Sequence, residues 1–378
     1  MNKIKEPIYV TQPLLPDFDD LEPLIKDILH CKYVTNHGKN HNLLETLLLK
    51  VLKVNNVSLF NNGTIALLTA LKALDLPEGS EVITTPFTFP ATPHCIAWNG
   101  LKPVFCDIEP KNMTIDINKI EKLINSKTSA ILPVHVYGFP CDINKIEKIA
   151  TKNDLKVIYD GAHTFGTEVN GKAIGNFGDI TMFSFHATKL FNTIEGGCLT
   201  YKNNDLREKI YNLRNFGIKN ENEVVDVGIN GKLNEFQASV GLLNLKLLKN
   251  EQIKRLKIKR LYVENLKDID HIKIPEIPKN VTDSFQYFVI IIEDDFAITR
   301  DQLYDRLKEY NIFTRKYFYP LCSDYEPYKD YQSSSINNLP IANDLKNKVL
   351  CLPYYGSLDH QVVIKICNII KDFSRKLY

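Results

Sequence analysis

Three short segments carry side chains that could do chemistry together. Asn61-Asn-Gly-Thr64 stands between an apolar run and a helix-like stretch. Free N–H groups and the positive helix end at such a turn would bind a phosphate. Tyr159-Asp-Gly-Ala-His163 places an acid, Asp160, at the end of an apolar run. Phe183-Ser-Phe-His-Ala-Thr-Lys189, followed by Glu195-Gly-Gly197, places a lysine in a polar turn between two such runs. Taken singly, the Asp reads as a turn or cap residue and the Lys as a surface charge. Taken together, a phosphate cradle, an amine and an acid match what pyridoxal phosphate requires. The amine forms a Schiff base, and the acid keeps the pyridine nitrogen protonated so that the ring can act as an electron sink. An aromatic side chain would cover one ring face, and Phe89 in Pro86-Phe-Thr-Phe89 is placed to do so.

These segments need a scaffold, and the flanking pattern supplies one. Apolar or β-branched runs at 57–60, 81–85, 103–106, 129–137, 156–160, 179–185 and 197–201 read as buried strands. Helix-like stretches separate most of them, which predicts an α/β sheet. Two of these helices open with the same heptapeptide, Asp-Ile-Asn-Lys-Ile-Glu-Lys, at Asp116 and Asp142. Each Asp can cap its helix, and the isoleucines share one face. From 234 to 267 one long helix is expected, with Leu242, Leu245, Leu248, Ile253 and Leu256 as its apolar side. It would bridge to a smaller part with a strand at 288–292 and helices at 300–310 and 360–373. The expected organisation is a cofactor domain over 1–250 and a small C-terminal domain over 251–378.

Composition excludes several classes. The 378 residues, 44% hydrophobic and 24% charged, describe an ordinary globular chain of about two domains. A net charge of +2 gives no basic excess for nucleic acid, and the basic run Lys254–Arg260 reads as a solvated helix face. No apolar stretch reaches membrane-spanning length, and Met1-Asn-Lys-Ile-Lys-Glu opens no secretion signal. The eight cysteines form no C-x-x-C and read as reduced thiols of a cytoplasmic protein. Gly166 to Lys172 imitates a P-loop, but Ala173 replaces the hydroxyl residue, and Asn170-Gly171 reads as a hairpin turn. No G-x-G-x-x-G occurs, and the histidines are scattered without metal-ligand spacing, so no metal is expected.

The motifs Thr88-Phe89, Asp160-Gly-Ala-His163, Ser184-Phe-His-Ala-Thr-Lys189, Glu195-Gly-Gly197 and Gly228-Ile-Asn-Gly-Lys-Leu-Asn-Glu235 occur in order. In these the chain resembles the DegT/DnrJ/EryC1/StrS sugar-nucleotide aminotransferases over about residues 30 to 360. The resemblance implies fold type I of the pyridoxal phosphate enzymes, aspartate aminotransferase-like. That is a large mixed-sheet α/β domain followed by a smaller α+β domain. It implies Lys189 as the Schiff-base and proton-transfer residue and Asp160 as partner of the pyridine nitrogen. Gly63, Thr64 and Ser184 would hold the phosphate, Phe89 would stack on the ring, and His163 would lie beside it. Asn230 would reach the phosphate of the partner subunit in a homodimer with shared sites. Arg315 and Tyr317 stand where they could contact the nucleotide-sugar or shape the dimer interface.

The implied reaction moves an amino group from L-glutamate to a nucleotide-linked keto-6-deoxyhexose. Family members with His in place of the lysine are dehydratases, so Lys189 favours transamination. Ser184 to Gly197 and Arg315-Lys-Tyr-Phe-Tyr-Pro-Leu321 resemble the dTDP-6-deoxyhexose branch. Within it the 3-keto sugar is the expected substrate, giving dTDP-3-amino-3,6-dideoxyhexose. The alternatives are C4 amination to dTDP-4-amino-4,6-dideoxyglucose, elimination chemistry on the same cofactor, or a non-catalytic regulator on the same scaffold. The expected use is a bacterial surface glycan such as O-antigen lipopolysaccharide.

Overall fold

A computed structural model describes residues 3–374. Its centre is a seven-stranded sheet made from the runs that the sequence marks as apolar. In chain order the strands are β1 (Val57–Phe60), β2 (Glu81–Thr84), β3 (Lys102–Phe105), β4 (Thr128–Leu132), β5 (Lys156–Asp160), β6 (Ile180–Ser184) and β7 (Gly197–Tyr201). Their spatial order is β1-β7-β6-β5-β4-β2-β3. The pairings from β6 through β3 are parallel, whereas β7 runs antiparallel to both β6 and β1. The expected mixed sheet is therefore present. Helices cover both faces, which is why the strands are continuous apolar runs without alternation.

Local chemistry sets the helix ends. Asn62 accepts the Ile65 N–H at 2.8 Å and so starts the helix Gly63–Ala73. Asp116 accepts from the Asn118 N–H and Asp142 from the Lys145 N–H, so both copies of the repeated heptapeptide are capped helices. Asn170 and Gly171 both have positive φ, as a tight hairpin turn needs, and join Glu168–Val169 to Lys172–Ala173.

The long helix, α1 (Glu235–Leu266), starts with a capping box between Asn234 and Gln237. Its N-terminal half packs into the core that includes Leu44 and Leu48, and its C-terminal half into a second core with Ile366 and Ile370. The expected apolar stripe does not run its full length. Ile253 is exposed, and the buried face continues instead as Glu251, Arg255, Ile258, Tyr262 and Leu266. Glu251 and Arg255 pair at 2.6 Å inside the protein. Arg255 also donates to the Phe285 carbonyl, and Glu251 accepts the Gly356 N–H. A buried, hydrogen-bonded ion pair thus takes positions that hydrophobic periodicity would reserve for leucines, and Arg255 is removed from the solvated basic face.

The second core holds a three-stranded antiparallel sheet, β8 (Ile272–Lys273), β9 (Phe288–Ile292) and β10 (Val349–Leu352). The start of the chain joins this part: Ile8–Tyr9 pairs in parallel with Ile312–Phe313. A third core, with Phe87, Tyr137, Phe318 and Cys351, seals the second sheet against the C-terminal ends of the parallel strands. Among the described residues no helix is long and apolar enough to cross a membrane.

Candidate active site

The carboxyl ends of parallel strands leave a crevice where ligands bind in open α/β sheets. Here that crevice is lined by Asn62, Gly63, Thr64, Thr88, Phe89, Asp160, His163, Ser184, Lys189, Tyr287, Tyr317 and Phe318, among others. The three segments that could do chemistry together therefore meet in one place. β1 delivers Gly63 and Thr64, β5 ends on Asp160, β6 ends on Ser184, and the loop from β6 to β7 presents Lys189.

The expected phosphate cradle is, in the structure, a close approach of backbones. A Cβ on Gly197 would lie 2.8 Å from both the N and the Cα of Gly63. A Cβ on Gly63 would meet the Ser184 Cβ at 3.0 Å. The first turn of a helix has no internal acceptor for its amides. Asn62 takes the Ile65 N–H, and Gly63 and Thr64 lie open to the crevice beside the Ser184 hydroxyl. A side chain on Gly63 would crowd the Ser184 hydroxyl, 3.2 Å from that Cβ, at the crevice wall.

Asp160 is buried, and each carboxylate oxygen accepts one hydrogen bond. Thr92 Oγ1 donates to Oδ2 at 2.8 Å, and the Ala162 N–H donates to Oδ1 at 3.1 Å. Thr92 in turn lies 2.9 Å from the Thr88 hydroxyl, which then donates to it. Burial pushes the Asp160 carboxyl above its usual range, against the Ala162 and Thr92 bonds and the Lys189 charge, which lower it. A protonated pyridine nitrogen facing this carboxylate would supply the cation that its burial calls for. His163 Nδ1 accepts the Tyr137 N–H at 3.1 Å, which leaves the ring proton on Nε2. Burial holds His163 well below its usual pKa, so it is a neutral imidazole. Phe89 lines the cleft with 58% of its surface exposed, so its ring face is open to a flat ligand there.

Lys189 is half-buried at the floor of the cleft. Burial pulls its amine down from 10.5 to about 8, although the Asp160 charge opposes this. An amine with that pKa is partly neutral near neutral pH and can act as a nucleophile. Capture of pyridoxal phosphate by the stripped protein should therefore speed up with pH and level off above about 8. Stopped-flow absorbance of the bound cofactor checks this. A profile still rising at pH 10 would mean that the amine is not buried as described.

These residues fit pyridoxal phosphate: a glycine beside a hydroxyl that a Cβ would crowd, a buried acid, an aromatic flank and a nucleophilic amine. Tyr317 also lines the cleft, and its carbonyl accepts from the Tyr137 hydroxyl. Arg315 does not line it. Its backbone pairs with Cys351, and its side chain is exposed. Asn230 is exposed beside the cradle, where its carbonyl accepts from Asn61 Nδ2 at 3.3 Å, and it does not line the cleft of its own chain. Four further residues escape sequence reasoning: Thr92, Gln286, Tyr287 and Phe318. Thr92 sits one helical turn after Thr88, a weak signal. The other three arrive from the second sheet and its loops. No local pattern marks Gln286 or Tyr287, and Phe318 falls within the quoted segment Arg315–Leu321 without being singled out there.

The histidines need one correction. His37, His41 and Glu45 bring ligand atoms within 4.8 Å of one another, so a pair does have metal-ligand spacing. However, Arg214 donates to His37 Nε2 at 3.2 Å. That bond uses the lone pair a metal would need, and the guanidinium charge opposes a cation.

Comparison with known proteins supports the same chemistry. The sequence pattern of the DegT/DnrJ/EryC1/StrS aminotransferase family matches residues 19–371. A dTDP-4-amino-4,6-dideoxy-D-glucose transaminase of Shigella dysenteriae is 42% identical, covering 98% of this chain and 100% of that protein. A transaminase of the same name from Escherichia coli is 44% identical over 96% of this chain and 98% of its own length. Among solved structures, DesI, crystallised in the presence of its TDP-sugar product, superposes with a TM-score of 0.93 at 29% identity. It covers 99% of this chain and 95% of the DesI chain.

Proposed function

The chain belongs to the DegT/DnrJ/EryC1/StrS aminotransferase family, and from that premise we propose that it aminates C4 of dTDP-4-keto-6-deoxyglucose with L-glutamate as donor. It is a pyridoxal phosphate-dependent sugar aminotransferase of fold type I. The observation that carries the C4 assignment is the full-length similarity to two transaminases named for the 4-amino-4,6-dideoxy sugar. The expectation of C3 amination gives way to it.

Bound in the cleft, the cofactor supplies an electron sink for the carbanion left when a proton departs from a substrate carbon. The chain does the rest. Gly63, Thr64 and Ser184 anchor the phosphate, and Phe89 covers one face of the ring. Asp160 accepts the hydrogen bond of the pyridine nitrogen and keeps its proton in place. Lys189 Nζ takes the proton from the α-carbon of glutamate and, in the second half-reaction, delivers one to C4 of the sugar. Its lowered pKa suits both roles near neutral pH. Neutral His163 can pack beside the ring without adding charge.

A second copy of the chain completes the site in this proposal. Asn230 is exposed, and Phe216, Val224, Val225 and Val227, close to it in sequence, leave 49%, 67%, 47% and 84% of their surface uncovered. Burial of such a patch in a homodimer would carry Asn230 toward the partner's phosphate. A monomeric holoenzyme in sedimentation equilibrium would sink that part. The product would serve surface glycan synthesis, made in the cytoplasm where glutamate and nucleotide-sugars are found.

The test of the reaction is turnover of dTDP-4-keto- and dTDP-3-keto-6-deoxyglucose side by side. A site built to orient one carbonyl should favour the 4-keto sugar by roughly a hundredfold in kcat/KM. Equal rates, or preference for the 3-keto sugar, would overturn the C4 assignment. Absence of an aminated product by mass spectrometry would overturn transamination itself.

A further inference from the structure

Lys189 lies in the irregular loop between β6 and β7, so no ladder or helix sets its backbone. Its own N–H donates to the His186 carbonyl at 2.8 Å, which closes a turn on one side only. The two peptide groups that flank its Cα are held by a single side chain beside the second sheet, nearly a hundred residues on. Gln286 Nε2 donates to the Thr188 carbonyl at 3.0 Å, and Gln286 Oε1 accepts the Leu190 N–H at 2.9 Å. Gln286 is 3% exposed and stands two residues before β9, in the second sheet. Its own N–H donates to Ser284 Oγ at 3.3 Å.

We propose that Gln286 is the positioning residue for Lys189: its carboxamide pins both flanking peptides and so fixes the direction in which the amine leaves the backbone. The inference rests on Lys189 being the residue that carries the cofactor. The residue type follows from the geometry. The clamp needs one donor and one acceptor side by side, and a planar carboxamide carries both at every pH. Asn is one methylene short of this reach. Glu lacks the donor, would repel the Thr188 carbonyl, and would add a negative charge near the amine. The next residue, Tyr287, places its ring 5.9 Å from Lys189 Nζ and 5.0 Å from the His163 ring. One dipeptide of the second sheet thus reaches both the backbone and the head group of the lysine.

The experiment compares full-length Gln286→Leu, Gln286→Asn and Gln286→Glu with wild type and with Lys189→Ala. Three quantities are read: borohydride trapping at position 189, the pH at which cofactor capture by the stripped protein is half-maximal, and kcat against KM. The charged and titratable groups around the amine are Asp160, His163, His186, Glu195, Tyr287 and Tyr317, and none of the Gln286 variants alters them. Gln286→Leu frees the loop and admits water, so the capture midpoint should rise by about one pH unit toward that of an ordinary lysine. Its kcat should fall roughly a hundredfold, as a displaced reacting group predicts, with KM for the nucleotide-sugar almost unchanged. Gln286→Glu should also raise the midpoint, through its charge. Gln286→Asn should fall between Leu and wild type, and it carries the test if the Leu variant does not fold. Wild-type midpoint and kcat in the Leu or Asn variant would overturn the clamp. Trapping that persists in Lys189→Ala would overturn the assignment of the lysine instead, so the two failures are distinguishable.

Discussion

Lys189→Ala should abolish transamination, lowering kcat by at least about a thousandfold, because the proposed reaction uses this one side chain as both nucleophile and proton carrier. The fold should survive. Lys189 is only half-buried, lies in a loop, and is held through its neighbours' peptide groups, which the substitution leaves in place. Circular dichroism and thermal melting should therefore match wild type. The stripped variant should still bind pyridoxal phosphate, since Gly63, Thr64, Ser184 and Asp160 all remain in the cleft. That binding should be reversible and resistant to borohydride trapping. Added methylamine should restore part of the activity, because a small free amine can enter the space left in the cleft. Activity within tenfold of wild type would remove Lys189 from the chemistry.

Much of this site is legible in the chain because its residues end buried strands. Asp160 and Ser184 close runs whose β-branched and aromatic residues are covered on both faces, and Gly63 follows a third such run. The carboxyl ends of such strands face the ligand crevice of an α/β sheet, so these polar residues, which singly read as caps or turns, become informative together. Gln286 and Tyr287 have no such context. They precede an apolar strand of another sheet, and their meaning arises only when that sheet packs on the loop of Lys189, about a hundred residues away in sequence. α1 shows the opposite failure. Its period reads clearly, but the Glu251–Arg255 pair displaces the stripe, because burial of a partnered ion pair leaves no hydrophobic trace in a sequence. The attacked carbon of the sugar is hidden for a related reason. C3 and C4 of one hexose are bonded neighbours, one bond length apart. The choice between them depends on how a whole cleft orients the ring, and no single residue type encodes it.

Asp160→Asn should slow turnover while quickening the capture of cofactor. The amide has the shape of the carboxylate and can keep both local contacts: its oxygen accepts the Ala162 N–H, and its NH₂ donates to Thr92, whose hydroxyl can turn to accept. What it lacks is charge. An amide cannot hold a proton on the pyridine nitrogen, so the electron sink weakens, and a loss of roughly 10² to 10³ in kcat is expected for an electrostatic role of this kind. The same charge acts on Lys189 in the opposite sense. Asp160 raises the pKa of the Lys189 amine, which burial otherwise pulls down to about 8. Without the carboxylate the amine is neutral at lower pH, and the capture profile should shift toward acid. Stability gives a third sign. Burial raises the Asp160 carboxyl above its unfolded value, so its ionisation in the cofactor-free protein opposes folding as pH rises through that pKa. The stripped Asp160→Asn protein should therefore melt no lower than wild type at neutral pH. A merely structural aspartate would give the reverse pattern: a lower melting temperature, with capture and kcat falling together. Stopped-flow capture, steady-state turnover and calorimetry on one preparation decide between the two.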